Sequence, residues 1–75
     1  MADERIKQEI IQALSHPEAE EGLYFGNLYQ LYEEEERPAV VGEEVDILDA
    51  LKELIADGEV SVSEGENGVI FALRR

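Results

Sequence analysis

Residues 50–60 read ALKELIADGEV and residues 69–73 read VIFAL. In the first stretch Leu51 and Leu54 recur at helical spacing, and Gly58 stands where a helix commonly ends in a left-handed residue. The β-branched and aromatic residues of the second stretch favour a strand. Together the two stretches predict a helix that stops at a glycine and is followed by a C-terminal β-hairpin.

The helix in this pattern is predicted to span Glu43 to Asp57, the clearest helical pattern in the chain. Its expected apolar face consists of Ile47, Leu48, Leu51, Leu54 and Ile55. After the helix, Val60 and Val62 alternate with polar neighbours, and Glu64 to Gly68 supplies turn residues before the apolar run. This alternation and this turn predict the two strands of the hairpin.

A first helix is predicted from Asp3 to Ser15. Its apolar stripe consists of Ile6, Ile10, Ala13 and Leu14, with Ile11 at its border. Asp3 can cap the start, and His16-Pro17 ends the helix, because the residue before a proline is pushed out of the helical region. The polar residues from Glu18 to Gly22 then indicate a loop.

A second helix is predicted from Leu23 to Glu36, with Asn27 available as a cap if the helix begins late. Its C-terminal end carries Glu33 to Glu36, which face the negative end of the helix dipole, so we expect that end to fray. Pro38 prevents the helix from continuing. Arg37 to Gly42 is therefore predicted to be a connection in which Ala39, Val40 and Val41 can form a short extended piece.

Three helices followed by a hairpin is the element order of winged helix-turn-helix domains, and residues 50–73 resemble the end of the third helix and the wing of that superfamily. The resemblance implies an α+β fold for residues 1–75 as a single domain. It also implies that the third helix and the hairpin tip are the surfaces offered to DNA. The link from Glu34 to Gly42 is longer than in a minimal helix-turn-helix and is similar to that of PadR-like regulators, although their long C-terminal dimerisation helix has no counterpart here.

The charge of the chain opposes nucleic-acid binding, because nineteen Asp and Glu residues against six Lys and Arg residues give a net charge of −13. Four of these acids are predicted to form one stripe on the third helix, opposite its apolar face: Asp46, Asp49, Glu53 and Asp57. Glu64 and Glu66 occupy the predicted hairpin tip. Since each carboxylate about 4 Å from a phosphate costs roughly 1 kcal/mol even in bulk water, DNA binding through these surfaces is disfavoured.

Aromatic residues are concentrated in one short segment that contains Tyr24, Phe25, Tyr29 and Tyr32. So small a core cannot bury all four side chains of one regular helix, and we expect Phe25 and Tyr32 to be the buried ones. Tyr24 or Tyr29 is then expected to stay exposed. Because tyrosine is enriched at protein interfaces, an exposed tyrosine here is a candidate anchor for a partner or for a second copy of the chain.

No pattern in the sequence indicates catalysis or a cofactor. The chain has no cysteine, and the neighbours Ser15 and His16 are better explained as a capping pair at a helix end than as a nucleophile and its base. Neither a phosphate-binding loop nor a calcium loop is present, and Glu18, Glu20 and Glu21 are expected to be a solvated face that holds cations only loosely. We therefore expect no enzyme activity, no metal, no cofactor and no small-molecule ligand.

The composition also bears on where the protein works. No apolar run approaches the roughly 20 residues that span a membrane, and the charged start is unlike a signal peptide, so a cytoplasmic protein is expected. Lysine occurs only at Lys7 and Lys52. An acid-rich, lysine-poor chain is typical of a high-salt cytoplasm, but an ordinary small acidic protein explains the composition equally simply.

These patterns favour a non-catalytic module that binds a protein partner or a second copy of itself. The candidate interface residues are Tyr24, Tyr29, Asp46, Asp49, Glu53, Glu64 and Glu66. A special case is an acidic mimic of DNA. The alternative is a DNA-binding transcriptional regulator that docks through Arg5 and Lys7 of the first helix together with Arg74 and Arg75.

Overall fold

A computed structural model describes residues 3–31 and 33–74 of the chain. Three helices and a three-stranded antiparallel sheet are present in this part, which confirms the α+β class. In chain order the elements are α1 (Glu4–Ser15), β1 (Leu23–Tyr24), α2 (Gly26–Tyr29), α3 (Glu44–Ala56), β2 (Val60–Gly65) and β3 (Gly68–Leu73). A 3₁₀ turn, Pro17–Ala19, lies between α1 and β1.

The hairpin is confirmed and forms two thirds of the sheet, whose strand order is β1-β3-β2. Val60 lies opposite Leu73 and Gly65 lies opposite Gly68, so Glu66 and Asn67 form the turn. Residues that pair across strands point to the same face of the sheet. One face is apolar at the end far from the hairpin turn, and α1 and α3 cover it there. The hairpin thus completes the core by packing against the two long helices, α1 and α3.

The core lies between α1, α3 and this face of the sheet. The buried apolar residues are Ile6, Ile10, Ala13, Leu14, Ala19, Leu23, Leu28, Val40, Ile47, Ala50, Leu51, Leu54, Val60 and Phe71. Every described element contributes at least one side chain to this set. A single cluster of this kind is the expected core of one small domain.

The first helix has the ends that the sequence predicts. The Asp3 carboxylate accepts a hydrogen bond from the Arg5 amide at 2.8 Å, which satisfies one of the free donors of the first turn. His16, which precedes Pro17, is extended with ψ of 145° and ends the helix. Ile11 is half-buried at the border of the apolar stripe, as expected.

The third helix also ends as predicted, with Gly58 in the left-handed region at φ +81°. Its buried face differs from the predicted apolar face at three positions. Leu48 is 41% exposed and Ile55 is 36% exposed, whereas Ala50 is fully buried. The buried side of α3 is thus rotated from the predicted one toward Ala50. The small alanine side chain lets neighbouring parts of the fold approach that side closely.

The prediction of a second helix from Leu23 to Glu36 is wrong. Leu23 and Tyr24 form β1, and only Gly26–Tyr29 is helical. Asn27 lies inside this single turn and does not cap it; the residue before α2 is Phe25. The expected burial of Tyr32 lies outside the described residues.

Tertiary pairing explains why a strand replaces the start of that helix. Leu23 pairs with Phe71 and Tyr24 with Ile70, so the segment joins the sheet that the hairpin already provides. Gly22 enters this strand with φ +97°, and a Cβ there would lie only 3.0 Å from the Phe71 carbonyl oxygen. The glycine therefore allows both the left-handed backbone and the close approach to β3.

The connection from α2 to α3 is irregular but tied to the rest of the fold. The Val40 amide donates to the Leu28 carbonyl at 2.8 Å, and the Val41 amide donates to the Glu9 carboxylate at 2.8 Å. Arg5 in turn donates to the Val41 carbonyl at 3.1 Å. The extended piece predicted around Val40 is thus held by α1 and α2, although it joins no sheet in the described chain. Within residues 3–31 and 33–74, no helix is long and apolar enough to cross a membrane.

Candidate functional site

The outer surface of α3 divides into three faces. Successive helical residues turn by about 100°, so Ile47, Ala50, Leu51 and Leu54 share the buried side. Val45, Leu48 and Ile55 lie about 120° to one side of it, and the four acids Asp46, Asp49, Glu53 and Asp57 lie about 105° to the other. The acids therefore flank the buried face, which corrects the expectation that they lie opposite to it.

The acidic stripe of α3, formed by those four acids, borders α1. Asp46, Asp49 and Asp57 are exposed. Glu53 is half-buried and its carboxylate lies 3.0 Å from the Lys7 ammonium. This hydrogen bond is the main reason why the pKa of Lys7 is raised above its usual 10.5. One acid of the stripe thus joins α3 to α1, and the other three face solvent.

The α3 apolar stripe, formed by Val45, Leu48 and Ile55, is the feature that the sequence pattern did not single out. Val45 is 64% exposed, more than Leu48 or Ile55. A surface helix ordinarily turns polar residues to solvent, so three aliphatic residues on the outer side are an unusual arrangement. Their spacing of three and seven residues was visible in the sequence, but periodicity alone does not tell which apolar side of a helix the fold covers.

Tyr29 stands at the N-terminal end of this region. Its hydroxyl donates a hydrogen bond to the Glu44 carboxylate at 3.0 Å, and this bond raises the pKa of Tyr29. Glu44 precedes Leu48 by four residues and therefore lies on the same side of α3. The Tyr29 ring meets the Phe25 ring edge to face at a centroid distance of 5.5 Å. Tyr29 is thus half-buried beside the α3 apolar stripe.

Tyr24 is placed elsewhere, on the outer face of the sheet. It is half-buried, and its hydroxyl accepts a hydrogen bond from the Asn67 amide at 3.4 Å. A Cβ on Gly65 would lie 2.7 Å from the Tyr24 hydroxyl and 2.5 Å from Ile70 Cδ1, so the absence of a side chain at Gly65 makes room for both. The two candidate tyrosines therefore serve different elements: Tyr24 supports the hairpin and Tyr29 contacts α3.

The hairpin tip has the acidic character that the sequence predicts. Glu64 lies in β2 opposite Val69, and Glu66 lies in the turn. Both glutamates are exposed. Val62 and Val69 on the same hairpin are 46% and 43% exposed, so the projecting end of the hairpin is partly apolar as well as acidic.

Arg37 is the residue that sequence reasoning missed. It is 2% exposed, and its guanidinium donates to the Asn27 carbonyl at 3.0 Å and to the Glu18 carboxylate at 3.4 Å, with Glu35 as a third partner. Its Nε atom is buried and has no hydrogen-bond partner within the described part of the chain. One signal was available: Arg37 is the only cation between Lys7 and Lys52.

The carboxylate of Glu18 holds the same segment from the other side. It accepts hydrogen bonds from the Glu36 amide at 2.9 and 3.1 Å and from the Arg37 amide at 3.0 Å. These bonds hold the pKa of Glu18 below its usual value, and the bond from the Glu36 amide makes the largest contribution. Glu18 therefore has a structural role, in contrast to the solvated face expected for it with Glu20 and Glu21.

Ser15 and His16 both take part in local capping. The Ser15 hydroxyl donates to the Gln12 carbonyl at 3.0 Å, and His16 Nδ1 accepts a hydrogen bond from the Glu18 amide at 3.1 Å. His16 thereby caps the 3₁₀ turn that follows. An open depression beside this turn is lined by Pro17, Glu18, Glu20, Glu21 and Gly22. In the two described ranges no group of three or more acidic, histidine or cysteine side chains is arranged to hold a metal ion.

No protein-family model matches this chain, and neither a curated protein nor a solved structure is significantly similar to it. Its function must therefore be inferred from the geometry of its own surface. That surface has two features, the acidic stripe and the α3 apolar stripe, which flank the buried face of one helix and come closest to each other at Val45 and Asp49.

Proposed function

We propose that this chain is a non-catalytic, winged-helix-like module that binds a protein through the outer surface of α3. The observation that carries the proposal is the pairing on α3 of exposed aliphatic side chains with exposed carboxylates. Apolar surface that is left exposed and bordered by polar groups is characteristic of protein interaction sites. Membrane surfaces and nucleic acids carry the same sign of charge as the chain and are disfavoured as partners.

The winged-helix part of the proposal is supported by the order of the elements. Three helices precede the hairpin, the third helix ends at Gly58, and Val60 opens β2. The surfaces that such a fold offers to DNA are the outer side of α3 and the hairpin tip. Here those surfaces carry carboxylates, and Lys52 is the only cation of α3.

The alternative, a DNA-binding regulator that docks through α1, is weakened by the ion pairs of that helix. Arg5 pairs with Glu9, and the Lys7 side chain is only 13% exposed between Glu4 and Glu53. Cations that are already neutralised release few counterions from DNA. Arg74 is exposed, whereas Arg75 lies outside the described residues.

A titration of labelled mixed-sequence duplex DNA at low salt separates the two functions, because electrostatic binding is strongest there. We expect no change in fluorescence anisotropy at micromolar protein. Binding that weakens steeply as salt is added would instead favour the DNA-binding regulator. A cationic winged-helix protein, titrated in parallel, shows that the assay detects such binding.

Protein binding is tested by crosslinked affinity capture followed by reconstitution. A captured protein is purified, and its affinity for the chain is measured by calorimetry. We expect a direct complex of defined stoichiometry with a partner or, failing that, a homodimer in sedimentation equilibrium. A chain that stays monomeric and retains no protein under crosslinking would contradict the proposed function.

A further inference from the structure

We infer that the outer surface of α3 docks a basic amphipathic helix of a partner protein, an inference that rests on the proposed function and names its partner class. The docking face consists of the α3 apolar stripe together with the carboxylates that border it. Helix-in-groove recognition of this kind uses apolar anchors spaced at three, four and seven residues on the incoming helix.

The length of the stripe fits a helical partner. Val45 and Ile55 are separated by ten residues, which corresponds to about 15 Å along the α3 axis. This is roughly three helical turns, enough to contact three or four anchor residues of a helix packed alongside. Leu48 lies between them and is the central apolar residue of the face.

Charge identifies the sign of the partner. On one border of the stripe Asp49 follows Val45 by four residues, so the two side chains are neighbours on the helix surface. On the other border Glu44 precedes Leu48 by four residues and is held by the Tyr29 hydroxyl at 3.0 Å. An apolar stripe with carboxylates on both sides is complementary to an apolar stripe with lysines or arginines on both sides.

Lys52 lies within the face and does not conflict with this assignment. It follows Leu48 by four residues and is exposed. Its aliphatic stem can extend the apolar surface while the ammonium group reaches the solvent at the rim. The carboxylates around it therefore determine the sign of the surface.

A second copy of the chain is a poorer occupant than a basic helix. Each copy carries a net charge of −13, and a symmetric contact places the same face of each copy against the other. Two such faces bring carboxylates toward carboxylates, which opposes association at moderate salt.

The test uses a synthetic peptide of about five helical turns, with leucines at helical spacing and lysines on both flanks. We expect it to bind the intact chain, with chemical-shift changes centred on α3. A scrambled peptide of the same composition and a peptide with glutamates in place of the lysines should not bind. Failure of the lysine peptide to bind, or equal binding of its scrambled form, would overturn the inference.

Matched variants locate the binding face. Leu48→Gln should weaken peptide binding about tenfold or more, because it removes the central anchor. Leu31→Gln is the control, since Leu31 is 38% exposed, close to the 41% of Leu48, and lies outside α3. Leu31→Gln should change the dissociation constant by less than about twofold. Thermal melting must show that both variants fold, and equal losses in the two would place the peptide elsewhere.

A second pair of variants separates local charge from net charge. Glu44→Gln with Asp49→Asn, which removes the carboxylates on the two borders of the stripe, should weaken binding of the lysine peptide more than Glu64→Gln with Glu66→Gln, although both pairs remove two carboxylates. An equal effect of the two pairs would show attraction by net charge alone and would contradict the assignment to α3.

Binding of the natural partner to these variants tests this inference separately from the proposed function on which it rests. If the reconstituted partner binds the Leu48→Gln variant as tightly as the original chain, the chain is a protein-binding module but α3 is not its docking face. If no partner and no homodimer is found, the proposed function itself fails. Loss of partner binding in Leu48→Gln, with binding kept in Leu31→Gln, supports both.

Discussion

Arg37 shows how one residue can organise an irregular segment. Its buried guanidinium joins the carbonyl of Asn27 in α2 to the carboxylates of Glu18 and Glu35. Glu18 also binds the backbone amides that precede α3 by several residues. Removing a buried cation with this many partners is strongly destabilising, because its carboxylate partners then lack a neutralising positive charge.

Substitution of Arg37 by alanine should therefore lower the free energy of unfolding by about 3 kcal/mol. Urea denaturation followed by circular dichroism measures this change. Lys52→Ala is the matched control, since Lys52 is an exposed cation, and it should change stability by less than about 0.5 kcal/mol. Equal effects of the two substitutions would show that the contacts of Arg37 contribute nothing to stability.

The Glu18 carboxylate should give the stability a dependence on pH at the acidic end. Because its pKa in the folded chain is held below the usual 4.5, its contribution is present above pH 4.5 and is lost as the pH falls through the folded pKa. Glu18→Gln should accordingly destabilise the chain at neutral pH and much less in acid. Urea titrations of both proteins across this range measure the difference.

Comparing the original chain with Glu18→Gln at each pH cancels the effect of the other acids, because their protonation relieves repulsion equally in the two proteins. A difference in stability between the original chain and Glu18→Gln that is the same at pH 7 and at acidic pH would contradict the role assigned to Glu18.

At the scale of elements, the segment after α1 is decided by its neighbours. Helical spacing of its apolar residues predicted a helix, but the strand β1 and the single turn α2 replaced it. Pairing with β3 satisfies the backbone groups of Leu23 and Tyr24, and burial of Leu23 and Leu28 joins the segment to the core. These contacts outweigh a helix propensity of a few tenths of a kcal/mol per residue.

Two glycines at the ends of this segment give a matched test. Gly22→Ala should destabilise the chain by about 2 kcal/mol or more, because φ is +97° there and the new Cβ would meet Ile70 and the Phe71 carbonyl oxygen. Gly26→Ala should be neutral or slightly stabilising, since it lies in α2 and no atom lies within 4 Å of the added Cβ. Thermal unfolding of both variants measures the contrast, and similar melting temperatures would show that β1 does not need a left-handed residue before it.

At the scale of the whole molecule, the net charge of −13 acts on stability as well as on partners. Like charges on a chain of 75 residues repel one another, and the compact state brings them closer than the unfolded state does. The ion pairs of Lys7 with Glu53 and of Arg37 with Glu18 offset only a small part of this repulsion.

Added sodium chloride should therefore raise the Tm, because screening weakens the repulsion between the acids. A melting curve followed by circular dichroism over a series of salt concentrations measures this. The variant Glu64→Gln with Glu66→Gln should show a smaller rise, since it has two fewer negative charges at the hairpin tip. A Tm that is flat or falls with salt would contradict the repulsion and the high-salt interpretation of the composition.

Local pattern was sufficient for α1, α3 and the hairpin, because in each the apolar period, a cap or stop residue and the turn chemistry agree. It was also sufficient to place Glu64 and Glu66 at the hairpin tip. Only tertiary contacts decided the segment between α1 and α3, the burial of Arg37 and the exposure of Leu48 and Ile55. The reason is physical: a periodicity tells which residues share a side of an element, but burial depends on which neighbour covers that side. The candidate docking face of α3 could therefore be recognised only once the positions of α1, α2 and the sheet were known.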